Sequence, residues 1–325
     1  MLLRMREIIA LVVLAFSWTI QESNASWADR HPYYRRCLVL CESSSEKCER
    51  MLSKRSDIQK QVDSAFGWTC LEECQHRCMW NFTRLYVHQE GLVPKFFGRW
   101  PLIRYFGMLE PASSIASFVS LLFSCLGFWW LRKFGHPCSP YKWCYNTIFT
   151  INCFTWLSST LFHIRDLFIF ERMDYYGAFI TTFVPLFWFV CRNFYFEFKI
   201  LFFAAISFVA MCFIADVLYM ELVKFDHTLH FSVCTGIAIL GFGFWLIWCI
   251  FNLKKVPHAK LYLMTYLSFA VGPLTAKYFE WQPPYQWVYD AHSIFHILTS
   301  PTPFLFWWVI SIDDIYLTTY KRKIV

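Results

Sequence analysis

Two pairs of polar residues lie one helical turn apart within apolar stretches of membrane length. Ser159 and His163 sit in WLSSTLFHIRD, and His292 and His296 in DAHSIFHIL. Residues four apart share one face of a helix. Ionisable side chains are costly inside a bilayer, and where they occur they mark functional sites. Three neutral imidazoles brought together from two helices form a zinc ligand set with a fourth position open. Imidazole donors make zinc the leading metal, and zinc lowers the pKa of its water to about 7. Asp174, eleven residues after His163, is placed to hold that water and carry its proton. Ser159 is placed to donate a hydrogen bond to a developing oxyanion; a covalent role for it is less attractive beside a metal. Asp166 and Asp290 are candidate outer carboxylates that orient an imidazole.

Each of these residues also has an ordinary reading. A histidine near a span end can be interfacial, a serine can bond its own helix backbone, and Asp174 can cap a helix. What favours chemistry is that all five groups fall near one end of their spans. Asp216, His227 and His230 lie near the same end and carry no assigned role.

The elements that position these groups must be membrane helices. The chain is 57% hydrophobic, 21% aromatic and only 16% charged, and its apolar residues come in long blocks. A soluble domain carries more charge. The net charge of +7 does not indicate nucleic-acid binding, because the Lys and Arg residues sit between apolar blocks. We expect an all-α polytopic membrane protein with seven spans near residues 112–131, 143–164, 175–191, 200–220, 229–251, 261–276 and 291–312.

Residues 1–25 read as a signal peptide, with Arg4 and Arg6 before an apolar core and Ser23-Asn24-Ala25 as a cleavage site. Residues 26–111 then form a luminal cysteine-rich domain, 112–312 the seven-helix domain and 313–325 a cytosolic basic tail. Six cysteines fall in the luminal segment: Cys37, Cys41, Cys48, Cys70, Cys74 and Cys78. An even set behind a signal peptide indicates disulfides. The last three are spaced by four, so they share a helix face and are expected to pair with the first three. A zinc site made by these cysteines is the rival reading. Asn81-Phe82-Thr83 is a glycosylation sequon on the same side. Residues 96–106 are aromatic and basic, as in an interfacial belt.

With residue 111 luminal, eleven Lys and Arg fall in cytosolic segments against four in the opposite loops, as the positive-inside rule requires. Lys321 and Lys323 fit a cytosolic retrieval signal, and an ordinary basic flank explains them equally well.

SSTLFHIRD, ERMDYYGA, DAHSIFHI and HFSVCTG, together with the cysteine-rich segment, resemble the post-GPI-attachment-to-proteins factor three family (Per-like GPI phospholipases). That family belongs to the CREST superfamily of seven-span metal-dependent hydrolases, with alkaline ceramidases and adiponectin-type receptors. Ser159, His163, Asp174, His292 and His296 match the superfamily pattern. The resemblance implies a GPI-lipid remodelling enzyme that removes the sn-2 acyl chain of the phosphatidylinositol on GPI-anchored proteins. It implies residence in the Golgi, with cycling through the endoplasmic reticulum. Two other readings stay open: a ceramide amide hydrolase using the same chemistry, and a seven-helix receptor or assembly factor with a structural metal.

Overall fold

The computed structural model describes residues 26–43, 45–52, 55–278 and 287–319. The expected signal peptide and the Lys321 and Lys323 motif lie outside the described residues.

After a short 3-10 turn at Trp27–Arg30, the N-terminal domain comprises α1 (Pro32–Glu42), α2 (Ser45–Leu52), α3 (Asp57–Ala65) and α4 (Cys70–Glu90). A capping box starts α4. Thr69 Oγ1 accepts from the Glu72 amide at 3.3 Å, and the Glu72 carboxylate accepts from the Thr69 amide at 2.8 Å. Gly91, at φ 68°, ends α4 in the left-handed region that glycine adopts without strain. Disulfides join Cys37 to Cys78, Cys41 to Cys74 and Cys48 to Cys70, a nested set that fastens α1 and α2 along one face of α4. Cys41, Cys74 and Cys78 lie close enough to hold a metal, but every sulfur is already covalently paired. Disulfides therefore replace the zinc alternative. Asn81 projects exposed from α4, while Thr83 of the same sequon is buried and donates to the Met79 carbonyl at 2.9 Å.

The C-terminal part is a helical bundle: α5 (Pro111–Phe134), α6 (Lys142–Ile164), α7 (Phe168–Thr182), α8 (Val184–Phe194), α9 (Lys199–Leu222), α10 (His227–Asn252), α11 (Ala259–Tyr278), α12 (Ala291–Thr299) and α13 (Thr302–Thr319). Among the described residues five helical stretches are long and apolar enough to cross a membrane: Pro111–Phe134, Phe168–Phe194, Lys199–Leu222, His227–Asn252 and Ala291–Thr319. The chain is thus a multi-pass, all-helical membrane protein; no strand occurs among the described residues. The α6 helix is less apolar than these five stretches for a physical reason. It buries Asn152, Thr155, Ser158, Ser159, Thr160 and His163, so its polar face points into the bundle. By contrast Ile200, Phe203, Met211 and Leu222 of α9 are all exposed, as on a lipid-facing helix.

Within two of these spans, the expected third and seventh, the helix is interrupted. Pro185 lacks an N–H and interrupts the third between α7 and α8; Pro301 and Pro303 interrupt the last between α12 and α13. Distal to these breaks lies a buried ionic network. The Arg192 guanidinium donates to both Asp313 oxygens at 2.7 and 2.8 Å, and Tyr262 Oη donates to the same carboxylate at 2.8 Å. His258 Nε2 completes the cluster at 2.6 Å. Asp314 beside it accepts from Tyr145 Oη at 2.8 Å and from the His136 amide at 2.8 Å. These bonds lock α13 to α6, α8 and α11.

Candidate metal centre

The i, i+4 pairs of α6 and α12 meet at the end of the bundle next to the N-terminal domain. His296 Nε2 lies 3.1 Å from His163 Nε2 and 3.1 Å from His292 Nε2. All three donor atoms lie within 4.8 Å of one another. His163 and His296 are buried, at 2% and 5% exposure, whereas His292 is exposed and marks the open side.

The imidazoles are held from behind. Glu110 Oε2 lies 2.8 Å from His163 Nδ1. A carboxylate accepts, so His163 Nδ1 carries the hydrogen and its Nε2 presents a lone pair. Ser117 Oγ lies 3.2 Å from His296 Nδ1. The second nitrogens of His163 and His296 are thereby engaged, leaving Nε2 free on both. Two nitrogens about 2.0–2.1 Å from a tetrahedral zinc are about 3.3–3.4 Å apart, close to the observed 3.1 Å spacings. The donor set, two of its three spacings and the second partners of His163 and His296 fit a zinc-type ion shared by His163, His292 and His296.

Local folding explains how these groups arrive. The Glu110 and Leu109 amides donate to the His163 and Ile164 carbonyls at 2.9 and 3.0 Å, which seats the start of α5 against the end of α6. Ser113, Ser117, Ser120 and Ser124 form one buried stripe on α5, and small residues let membrane helices approach closely. Ser113 Oγ donates to Ser293 Oγ at 3.1 Å, tying α5 to α12. On α7, a Cβ added to Gly177 would lie 3.1 Å from Thr155 Cα. That close approach brings Asp174, one turn before Gly177, alongside Ser159, one turn after Thr155. Asp174 thereby comes within electrostatic reach of Ser159, His163 and His292. Ser117 Oγ lies 3.1 Å from Ser159 Oγ, so one hydroxyl touches both the His296 imidazole and the Ser159 side chain.

The remaining sequence candidates take other places. Asp166 is exposed and accepts from Arg99 Nη1 at 2.7 Å; that arginine lies 3.9 Å from Glu110. Asp166 thus reaches His163 only through Arg99 and Glu110. Asp290 caps α12, accepting from the Ser293 amide and hydroxyl at 2.8 and 2.9 Å. His230 Nδ1 lies 2.7 Å from Asp216 Oδ2, and its Nε2 lies 3.3 Å from the Tyr175 carbonyl. That pair braces α7 one residue beyond Asp174. Glu110 and Ser117 were not among the sequence candidates. Their signal was a carboxylate just before Pro111, followed by serines at helical spacing on an otherwise apolar span.

A helical membrane protein with a trihistidine centre and a Ser–Asp pair beside it is the class that fold and site define. Comparison with known proteins makes this specific. The signature of the Per1-like family matches residues 61–315, and the chain belongs to that family. It is 32% identical over 309 residues to the Bos taurus protein named GPI-specific phospholipase A2-like PGAP3, covering 94% of each chain. The Homo sapiens protein of that name is 30% identical over 314 residues, again covering 94% of each chain. Post-GPI attachment to proteins factor 3 of Drosophila melanogaster is 26% identical over 316 residues, covering 94% of each chain. No solved structure matches the chain.

Proposed function

We propose that this protein remodels GPI anchors by hydrolysing the sn-2 acyl ester of their phosphatidylinositol at the trihistidine centre. The observation that carries this reading is the meeting of three Nε2 atoms beside Ser159 and Asp174. Relatives named GPI-specific phospholipase A2-like PGAP3 supply the substrate class.

When bound by His163, His292 and His296, a zinc ion supplies Lewis acidity toward water and an ester carbonyl. The chain's own residues do the rest. Asp174 takes the proton from the attacking water at its carboxylate and returns it to the leaving alkoxide. Ser159 donates to the oxyanion as it develops, and Ser117 holds both Ser159 and His296 in register. Glu110 fixes the tautomer and orientation of His163. The exposed His292 edge is where a lipid enters sideways from the leaflet, with its ester just beneath the headgroups. A purely structural metal would need neither an open edge nor the Ser159–Asp174 pair. The ceramide amide alternative uses the same groups, but the relatives' names point to an ester of a phospholipid.

In this reading the chain crosses the bilayer seven times, with α6 and α11 as the two less apolar crossings. Its N-terminal domain is luminal and carries a glycan on Asn81, its tail is cytosolic, and it resides in the Golgi with cycling through the endoplasmic reticulum. The test is to express His163→Ala and His292→Ala in cells lacking the native protein and to measure GPI acyl chains by mass spectrometry. We expect unremodelled sn-2 chains; full rescue by either variant would refute the reading.

A further inference from the structure

The second face of α4 is not used by the disulfides. Cys70, Cys74 and Cys78 point one way, while His76, Trp80, Arg84 and His88 line a groove of about 850 Å³ on the other. The far wall is formed by Arg104, Phe106 and Trp287. The volume lies within the usual range for a ligand site, about 300–1,000 Å³.

The groove has unspent polar capacity. Its acidic members are neutralised: Glu73 by Arg104 at 2.6 Å and Asp63 by Arg55 at 3.1 Å. Arg84 and His88 make no ion pair or hydrogen bond among the described residues, which leaves the Arg84 guanidinium as unpaired positive charge on the described lining. The Arg104 side chain is only 11% exposed, yet its Nε has no partner. Burial, with Arg104 alongside, pushes His76 down to about 3. His76 is therefore a neutral donor and acceptor, and it makes no hydrogen bond among the described residues.

Aromatic surface faces this polar capacity. Trp80 and Trp287 meet edge to face with centroids 5.4 Å apart. Trp287 holds a backbone φ of 60°, a left-handed conformation that bulky residues rarely adopt and that recurs at ligand clamps. The Ile103 amide donates to the Trp287 carbonyl at 2.8 Å, holding the backbone there five residues before His292. Arg104 and Arg165 both lie against the Trp68 ring, at 3.5 and 3.8 Å, and Arg165 follows His163 by two residues. These contacts connect the groove to the segments that carry His163 and His292.

Indole rings, neutral hydrogen-bonding groups and a cationic rim are the recognition chemistry of a phosphorylated sugar chain. We propose that this groove binds the anionic glycan of the glycosylphosphatidylinositol substrate, with sugar faces on Trp80 and Trp287 and a phosphate against Arg84 and His88. The identity of the glycan rests on the function proposed above; the existence of a site for a phosphorylated carbohydrate rests on the groove alone.

The test uses the full chain in lipid nanodiscs and a lipid-free phosphoinositol glycan, released from a GPI-anchored protein by protease and phospholipase C. Binding is read by intrinsic tryptophan fluorescence. Arg84→Glu with His88→Glu changes two exposed positions and is expected to weaken binding at least about tenfold, the worth of a charge-assisted contact. His292→Ala is expected to bind the probe like the wild type. Equal binding by wild type and the double variant, or no binding at all, would overturn the proposal. Equal affinity for an unphosphorylated mannose oligosaccharide would also overturn it. Probe binding by a protein that leaves GPI acyl chains unchanged would support the groove and sink the hydrolytic reading. Acyl removal without probe binding would do the reverse.

Discussion

Removing the Glu110 carboxylate should loosen the proposed metal centre, although Glu110 is not one of its proposed ligands. Its oxygen sits 2.8 Å from His163 Nδ1, and the imidazole is 2% exposed. In Glu110→Ala the N–H loses its acceptor with little access to water, a cost of about 1–3 kcal/mol. At about 1.4 kcal/mol per tenfold that is roughly 5- to 150-fold, which overlaps the roughly 10- to 100-fold loss usual for such outer partners. We expect Glu110→Gln, which keeps a neutral acceptor, to lose less. Asp166→Ala is the control: that side chain is exposed and touches only Arg99, so its effect should stay within about threefold. The assay is zinc affinity of the purified chain by chelator competition, paired with the acyl composition of GPI anchors in rescued cells. Wild-type zinc affinity in Glu110→Ala, or a larger loss in Asp166→Ala, would refute the assignment of Glu110 as the group that orients His163.

Three further outcomes follow from the packing and charge. Gly177→Ala places a methyl 3.1 Å from Thr155 Cα; a backbone atom cannot swing aside, so α7 shifts and Asp174 with it. We expect about 1–3 kcal/mol of lost stability in detergent melts and a severalfold fall in acyl removal; unchanged values in both would show that the helix contact does not set the site. Asp313→Asn leaves the buried Arg192 without its counter-charge and should cost about 3–5 kcal/mol, seen as poor yield and early melting; a wild-type melting curve would contradict that. His76, pushed down to about 3 in the fold from an ordinary 6.5, binds its proton more readily in the unfolded chain. Stability of the N-terminal domain therefore falls as pH drops below about 6.5, by about 2 kcal/mol at pH 5. Limited proteolysis against pH should show the slope in the wild type and lose it in His76→Gln; the same slope in both would refute the assignment.

Much of the site could be read from spacing because helices convert i, i+4 into a shared face. Ser159 with His163, His292 with His296, and Cys70 with Cys74 and Cys78 are each such runs, and each lands on one face in the fold. The grip on the imidazoles was not readable that way. Glu110 comes to His163 through backbone bonds between segments 53 residues apart, and no periodicity links them. Asp166 looked like the orienting carboxylate because it is near His163 in sequence. The chain leaves α6 at Arg165 in an extended conformation, which turns Asp166 outward to Arg99. The expected third and seventh spans lie in the apolar stretches Phe168–Phe194 and Ala291–Thr319, but hydropathy alone did not show that the helix is interrupted at Pro185 in one and at Pro301 and Pro303 in the other. The nested disulfide order needed α1 and α2 to run back along α4, which cysteine spacing alone leaves open. The Arg192–Asp313 network was invisible because its members are scattered over four helices and the turn before α11, with no repeating interval.

The most direct measurement is metal content per chain, by plasma mass spectrometry, of the purified protein and of His163→Ala and His296→Ala variants that retain the three disulfides and a cooperative melt. We expect about one zinc per wild-type chain and a small fraction of that in either variant. A wild-type protein that stays metal-free after zinc reconstitution, or variants that keep a full equivalent, would contradict a trihistidine metal centre.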